Sequence, residues 1–313
     1  MRVLVAGATG VIGRQLVPLL LEAGHEVVGL ARSRTRAEAA ERTGARLVVA
    51  DALDRAALLY AVRAVEPDAV VHLLTAIPAQ VNPRRMARDF TLTNRLRTEG
   101  THNLLDAARA AGAQRFVAQS IAFAYDPAGS AVKNEDAPLW RDPPRQFAPV
   151  VAAVAELERL TRQAGGTVLR FGHLYGPGSS YAADGAVIRM IRTGKMPIVG
   201  TGAGVFSFVH ARDAATAVEA ALRGPAPGVF NIVDDEPTPA HTWLPELAAM
   251  LGAPAPRRVP TALARLAVGG FGVAYLTALR GASNARARDQ LRWKPRYPSW
   301  REGFRAELLH DQA

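Results

Sequence analysis

The chain has no cysteine among its 313 residues, which excludes disulfides, thiolate nucleophiles and cysteine-based zinc sites together. Long hydrophobic runs are also missing. The best stretch, Leu266 to Leu279, is short, contains Gly269, Gly270 and Gly272, and lies between Arg265 and Arg280. It is expected to be a buried or substrate-facing helix, not a membrane span. No group of His, Asp and Glu has the spacing of a metal site, so no metal is expected. Lysine is scarce, Lys133, Lys195 and Lys294 being the only ones, and arginine supplies the rest of the basic side chains. The formal charge of +10 is spread over every segment and massed on none, which argues against a nucleic-acid partner. The apolar N-terminus breaks at a glycine turn with no small-residue cleavage site before it, so a cytoplasmic location is expected.

What is present is concentrated at the start, in MRVLVAGATGVIG. Arg2 to Ala6 is an apolar, β-branched run that predicts a buried strand, and Leu16, Leu19 and Leu20 beyond Gly13 mark a helix. The spacing Gly7, Gly10, Gly13 gives a tight turn, room for a pyrophosphate against bare backbone, and close packing of helix on strand. Thr9, Val11 and Ile12 complete that loop. Further short apolar runs predict strands at Glu26–Ala31, Leu47–Ala50, Ala69–Leu74, Arg115–Gln119 and Thr167–Phe171 and, in the less regular part beyond Gly178, at Val205–Val209 and Val229–Val233. Because these runs do not alternate with polar residues, both faces of the sheet should be covered. Helices are expected between them, one long helix spanning Asp89 to Ala111 and another Val150 to Gln163.

The predicted class is therefore α/β, a Rossmann-like doubly wound parallel sheet. Residues 1–175 form the dinucleotide-binding part, completed by about 205–235; residues 176–204 and 236–313 form a smaller substrate-binding cap. In such a sheet ligands bind at the carboxyl ends of the strands. The second strand ends in Arg32, Ser33 and Arg34 with no carboxylate, which suits the 2′-phosphate of NADP(H). Asp51 and Ala52 follow the third strand, placed for the adenine edge. Leu74, Thr75, Ser120, Phe171, His173 and Leu174 follow the later strands, placed for the nicotinamide half. Ser120, Thr75 and His173 are also the candidates for positioning substrate or relaying a proton.

The glycine loop, the Asp51 turn, Thr98-Glu99-Gly100-Thr101-His102-Asn103-Leu104-Leu105, Arg115-Phe116-Val117 with Ser120, Leu169-Arg170-Phe171, Leu174-Tyr175-Gly176-Pro177-Gly178 and Phe208-Val209-His210 with Asp213 resemble the extended short-chain dehydrogenase/reductases, the NAD-dependent epimerase/dehydratase family. The resemblance implies a nicotinamide cofactor and hydride transfer at a carbonyl carbon. It also implies a Tyr-x-x-x-Lys pair on the helix after the fifth strand, which this chain lacks: Ala64, Gly129, Ser179, Gly185, Leu279 and Arg301 stand four residues after its six tyrosines. Matched through Glu156, the tyrosine and lysine positions fall on Ala148 and Ala152, and Ile121 replaces the family's Ser/Thr. Phe206 stands where sugar-nucleotide members carry an arginine for the diphosphate.

Without a protein acid, an alkoxide formed by hydride addition needs another proton source. A hydroxylated polycyclic aromatic ketone carries one in its neighbouring phenol. The expectation is an NADPH-dependent ketoreductase of polyketide-type substrates in antibiotic biosynthesis, as a monomer or homodimer. The tyrosine-less angucyclinone ketoreductases, the simocyclinone type in particular, are similar in these respects. A sugar-nucleotide epimerase/dehydratase and a non-catalytic NADP-binding sensor are the alternatives.

Overall fold

Seven parallel strands form the central sheet of the protein, seen in a computed structural model that describes residues 1–33, 44–224 and 227–309. They are β1 (Arg2–Ala6), β2 (Glu26–Ala31), β3 (Arg46–Val49), β4 (Ala69–His72), β5 (Arg115–Ile121), β6 (Thr167–Phe171) and β7 (Val229–Ile232), in the order β7-β6-β5-β4-β1-β2-β3. The order reverses between β1 and β4, where Val5 lies beside Val71 on one side and Gly29 on the other. This is the switch point at which a doubly wound sheet opens a crevice.

The helices are α1 (Gly13–Glu22), α2 (Arg55–Val65), α3 (Met86–Asp89), α4 (Thr91–Arg95), α5 (Thr101–Ala110), α6 (Ala148–Gln163), α7 (Ala186–Arg192), α8 (Ala211–Arg223), α9 (Ala240–Met250), α10 (Thr261–Thr277), α11 (Ala285–Gln290) and α12 (Trp300–Leu309). Val3, Val5 and Leu169 face α1 and α8 through Leu16, Leu20, Val218 and Leu222. Leu4, Val70 and Phe116 face the other layer through Leu58, Val62, Leu104 and Leu157. Strands covered on both faces read as continuous apolar runs, which is what made them legible.

Two expectations differ from the structure. The single helix foreseen over Asp89–Ala111 is broken after Asp89 and again by a π-helical turn, Leu96–Gly100, between α4 and α5. The run Val205 to Val209 is two short strands, because Ser207 interrupts it. Val205–Phe206 pairs antiparallel with Thr238–Pro239, and Phe208–His210 pairs parallel with His173–Tyr175. Between them the Ser207 carbonyl accepts from the His173 amide at 2.8 Å and the Ser207 hydroxyl accepts from the Ala282 amide at 2.9 Å. No helix among the described residues is long and apolar enough to cross a membrane, and these residues contain no metal-binding cluster.

Candidate active site at the carboxyl edge of the sheet

The glycine loop is a backbone cradle that side chains would fill. Gly7 has φ +104, and a Cβ there would lie 2.8 Å from the Leu73 carbonyl oxygen; a Cβ at Gly13 would lie 2.2 Å from the Gly7 oxygen. The Gly10 amide donates to the Gly7 carbonyl at 3.0 Å, while the amides of Val11, Ile12 and Gly13 meet no backbone acceptor among the described residues. Free amides at a helix N-terminus bind anions. The sequence reading missed Arg14, although a basic residue directly after the third glycine was a visible signal. Its Nε donates to the Thr9 carbonyl at 2.8 Å, and its guanidinium lies beside Gly178 across the crevice.

The adenosine end is assembled by neighbouring strands. Arg32 is exposed and Ser33 half-buried just past β2; Arg34 lies outside the described residues. The Asp51 carboxylate is exposed and accepts from the Leu53 amide at 2.9 Å. Asn103, from α5, donates to the Ala52 carbonyl at 2.9 Å and so fixes this turn. Leu74 is half-buried and Thr75 exposed at the end of β4. The residues present fit a dinucleotide lying across the ends of β3, β2, β1 and β4.

The reaction end is built differently from the expectation. Ser120 lies on the α6 side of β5, where its hydroxyl donates to the buried Glu158 carboxylate at 2.7 Å. Glu158 also takes a two-pronged bond from Arg170, at 2.8 and 2.6 Å. Ser120 is thereby committed to a buried ion pair and turned from the crevice. Its neighbour Ile121 packs in one buried apolar cluster with Val150 and Val154 of α6. That i, i+4 pair presents the α6 face that meets the end of β5, whereas Ala148 is half-buried and Ala152 exposed. Glu156 pairs with Arg159 on the surface, whereas Glu158 is buried. The side chains that α6 packs against the end of β5 are therefore aliphatic.

His173 is stacked between Phe123 and Phe206, with ring centroids 4.6 Å from each. Its Nδ1 is 3.1 Å from the Ser207 carbonyl oxygen. A carbonyl only accepts, so Nδ1 carries the proton and Nε2 presents a lone pair. Nε2 is buried without a hydrogen-bond partner among the described residues. Burial lowers the imidazole to about 4 despite the Ser207 bond, so at neutral pH it is uncharged and has no Nε2 proton to give. The acid role considered for His173 does not match this state. Phe171 is buried in the core against β7 and α8, and Leu174 is half-buried in the short strand beside Val209. Phe206, Phe208, Tyr181, Trp243 and Tyr275 surround the His173 region as a closed, buried aromatic cluster.

Residues 3–233 match the model of the NAD dependent epimerase/dehydratase family. The chain belongs to this family. Among its relatives is a Streptomyces 3-diazoavenalumate denitrifying reductase, 53% identical over 98% of this chain and 100% of that protein. Another is a 4-hydroxy-2-methyl-3-oxo-4-farnesyl-3,4-dihydroquinoline-1-oxide ketoreductase of Stigmatella aurantiaca, 30% identical over 78% of this chain and 71% of that one. With such reductases among its relatives, this family member is an oxidoreductase. The same fold occurs in a human epimerase family protein solved with NADPH, at TM-score 0.78 and 23% identity over 99% of this chain and 100% of that chain. It also occurs in the Thermus thermophilus UDP-glucose 4-epimerase complex with NAD, at TM-score 0.72 and 25% identity over 99% and 98%.

Proposed function

We propose that this family member is an NADPH-dependent reductase of an aromatic substrate, acting without a protein proton donor, and that its substrate class is an aryl diazo compound. The observation that carries the reading is the aliphatic trio Ile121, Val150 and Val154. A ketone reduced there would leave an alkoxide, a very strong base, with no acid among these three positions to protonate it. An aryl diazonium carbon has no such need. The bound dinucleotide would supply hydride, the C–H bond forms as the C–N bond breaks, and N2 departs with the electron pair of that bond. Charge and atoms balance with no proton transferred. The relative that removes nitrogen from 3-diazoavenalumate agrees with this chemistry over nearly the whole chain.

In this reading the loop Gly7, Thr9, Gly10, Val11, Ile12, Gly13 with Arg14 holds the pyrophosphate. Arg32 and Ser33 receive the 2′-phosphate, and Asp51 with Ala52 flanks the adenine. The closed aromatic cluster around Phe206 backs this end of the site and excludes water. A second reading, a polycyclic aromatic ketone protonated by its own neighbouring phenol, is favoured by the ketoreductase relative and needs the same apolar site.

The test is to incubate the protein with 4-deuterated NADPH and a diazo-phenol, following NADPH absorbance and product mass. Consumption of NADPH with one deuterium on the ring carbon that bore nitrogen is the expected result. Turnover of UDP-glucose would overturn the reading in favour of an epimerase, and tight NADPH binding with no oxidation by diazo compounds or ketones would overturn it in favour of a sensor. Oxidation by a free phenolic ketone but not by its O-methyl ether, with diazo compounds inert, would select the second reading.

A further inference from the structure

The π-helical turn Leu96–Gly100 carries an arginine that the fold does not explain. Arg97 is 3% exposed, and its Nη1 is buried with no hydrogen-bond partner among the described residues. No carboxylate there pairs with it, Glu99 being engaged with Arg95 on the surface. Burial lowers the guanidinium to about 10, which still leaves it cationic at neutral pH. One helical turn earlier, the Asn94 Oδ1 is buried and equally unpartnered. An uncompensated buried charge costs several kcal/mol, and π turns inside helices concentrate at functional sites.

The place of this turn is fixed by β4 and α6. His72, the last residue of β4, bonds through Nε2 to the Thr101 hydroxyl at 3.0 Å, and that hydroxyl donates to the Arg97 carbonyl at 2.6 Å. The Thr93 hydroxyl accepts from the Ala76 amide, just past Thr75, at 3.0 Å. The turn packs against α6, the helix that carries Val150 and Val154. The Arg97 charge also lies close enough to His72 to disfavour protonation of that imidazole, which puts the cation by the carboxyl end of β4.

We propose that Arg97 is the electrostatic catalyst of this site: its guanidinium binds the ring oxygen anion of an aryl-oxide substrate. The inference rests on the diazo-arene reading. An aryl oxide conjugated to a diazo carbon pushes electrons onto that carbon and blunts it toward hydride. A guanidinium on the oxygen holds the negative charge there and restores diazonium character at the carbon. After hydride addition and loss of N2, the product is the phenolate and Arg97 keeps its proton.

The test compares Arg97→Met and Arg97→Lys with wild type, as full-length protein loaded with NADPH. Two substrates are used, o-benzoquinone diazide and benzenediazonium, which lacks the oxygen. Arg97→Met is expected to lose roughly a hundredfold in kcat/KM on the first and little on the second, with Arg97→Lys between. An equal loss on both, or none on either, would overturn the proposal. Binding of 4-nitrophenolate to NADP+-loaded protein at mildly alkaline pH gives a readout independent of turnover. Arg97→Met should weaken it about tenfold or more without changing nitrobenzene binding; unchanged 4-nitrophenolate affinity would refute the role of Arg97 even if diazo compounds are reduced. Weakened binding with no diazo reduction by wild type would sink the diazo reading and keep the anion site. Should Arg97→Met not fold, Arg97→Gln carries the same comparison.

Discussion

Single side chains divide into those that hold the fold and those that face the ligand, and the division decides what each substitution should do. Ser120 and Glu158 belong to the first group. Ser120→Ala removes one hydrogen bond to a buried carboxylate, so stability should fall by about 1–3 kcal/mol while the kcat/KM of correctly folded protein stays within a few-fold of wild type. Glu158→Ala leaves Arg170 buried without its counterion and should cost about 3–5 kcal/mol. Urea denaturation measures both, and a loss of activity in Ser120→Ala without loss of stability would restore Ser120 to the reaction. Arg32 is proposed for the second group. Arg32→Asp puts a carboxylate where a 2′-phosphate is expected, so kcat/KM for NADPH should drop at least about tenfold relative to NADH; an unchanged ratio would remove Arg32 from the cofactor site.

Elements show where the chain could be read and where it could not. The seven strands and the glycine turn were legible because a sheet buried on both faces demands continuous apolar runs and because Gly7 and Gly13 stand where a Cβ would strike backbone. The reaction end was harder. Ser120 and Ile121 are adjacent, yet strand alternation sends one to Glu158 and the other to the apolar cluster, and only the packing of α6 tells which of Glu156 and Glu158 is buried. The π turn was invisible, since one extra residue in a helix leaves no mark on composition. Helix α10 was foreseen as apolar but not as kinked: Gly269 sits at φ +72, ψ −178, a region open only to glycine. Beyond the kink, Phe271 stacks on Phe147 at 4.5 Å and Tyr275 meets His173 at 5.6 Å. Gly269→Ala should therefore cost about 1–3 kcal/mol and weaken the near-ultraviolet circular dichroism of the aromatic cluster. Retention of both would mean that the kink does not seat these rings.

At the scale of the molecule, a chain with a formal charge of +10 gains still more positive charge on acidification and is destabilised by self-repulsion. Two buried histidines act in the same direction. His72 and His173 are each held neutral down to about 4, by burial first and, for His72, by the nearby Arg97 charge as well. The unfolded chain takes up a proton at each near the ordinary value of 6.5, so between 6.5 and 4 the unfolded state binds more protons and stability falls with pH. Above 6.5 both states are neutral and this contribution is absent. Buried carboxyls such as Glu135, Asp213 and Asp234, raised chiefly by burial, act in the opposite direction over part of the same range, so the effect of one imidazole is best isolated by difference. His173→Phe keeps an aromatic ring between Phe123 and Phe206 and removes the titrating group. The unfolding free energy of His173→Phe minus that of wild type should be flat above neutrality. It should then rise in favour of the variant on acidification, approaching about 1.4 kcal/mol per pH unit toward pH 5. Urea midpoints of the two proteins at mildly alkaline pH and near pH 5 measure it. A difference that does not change with pH would mean that the folded state lets His173 take up its proton, and that the aromatic cluster opens where the structure shows it closed.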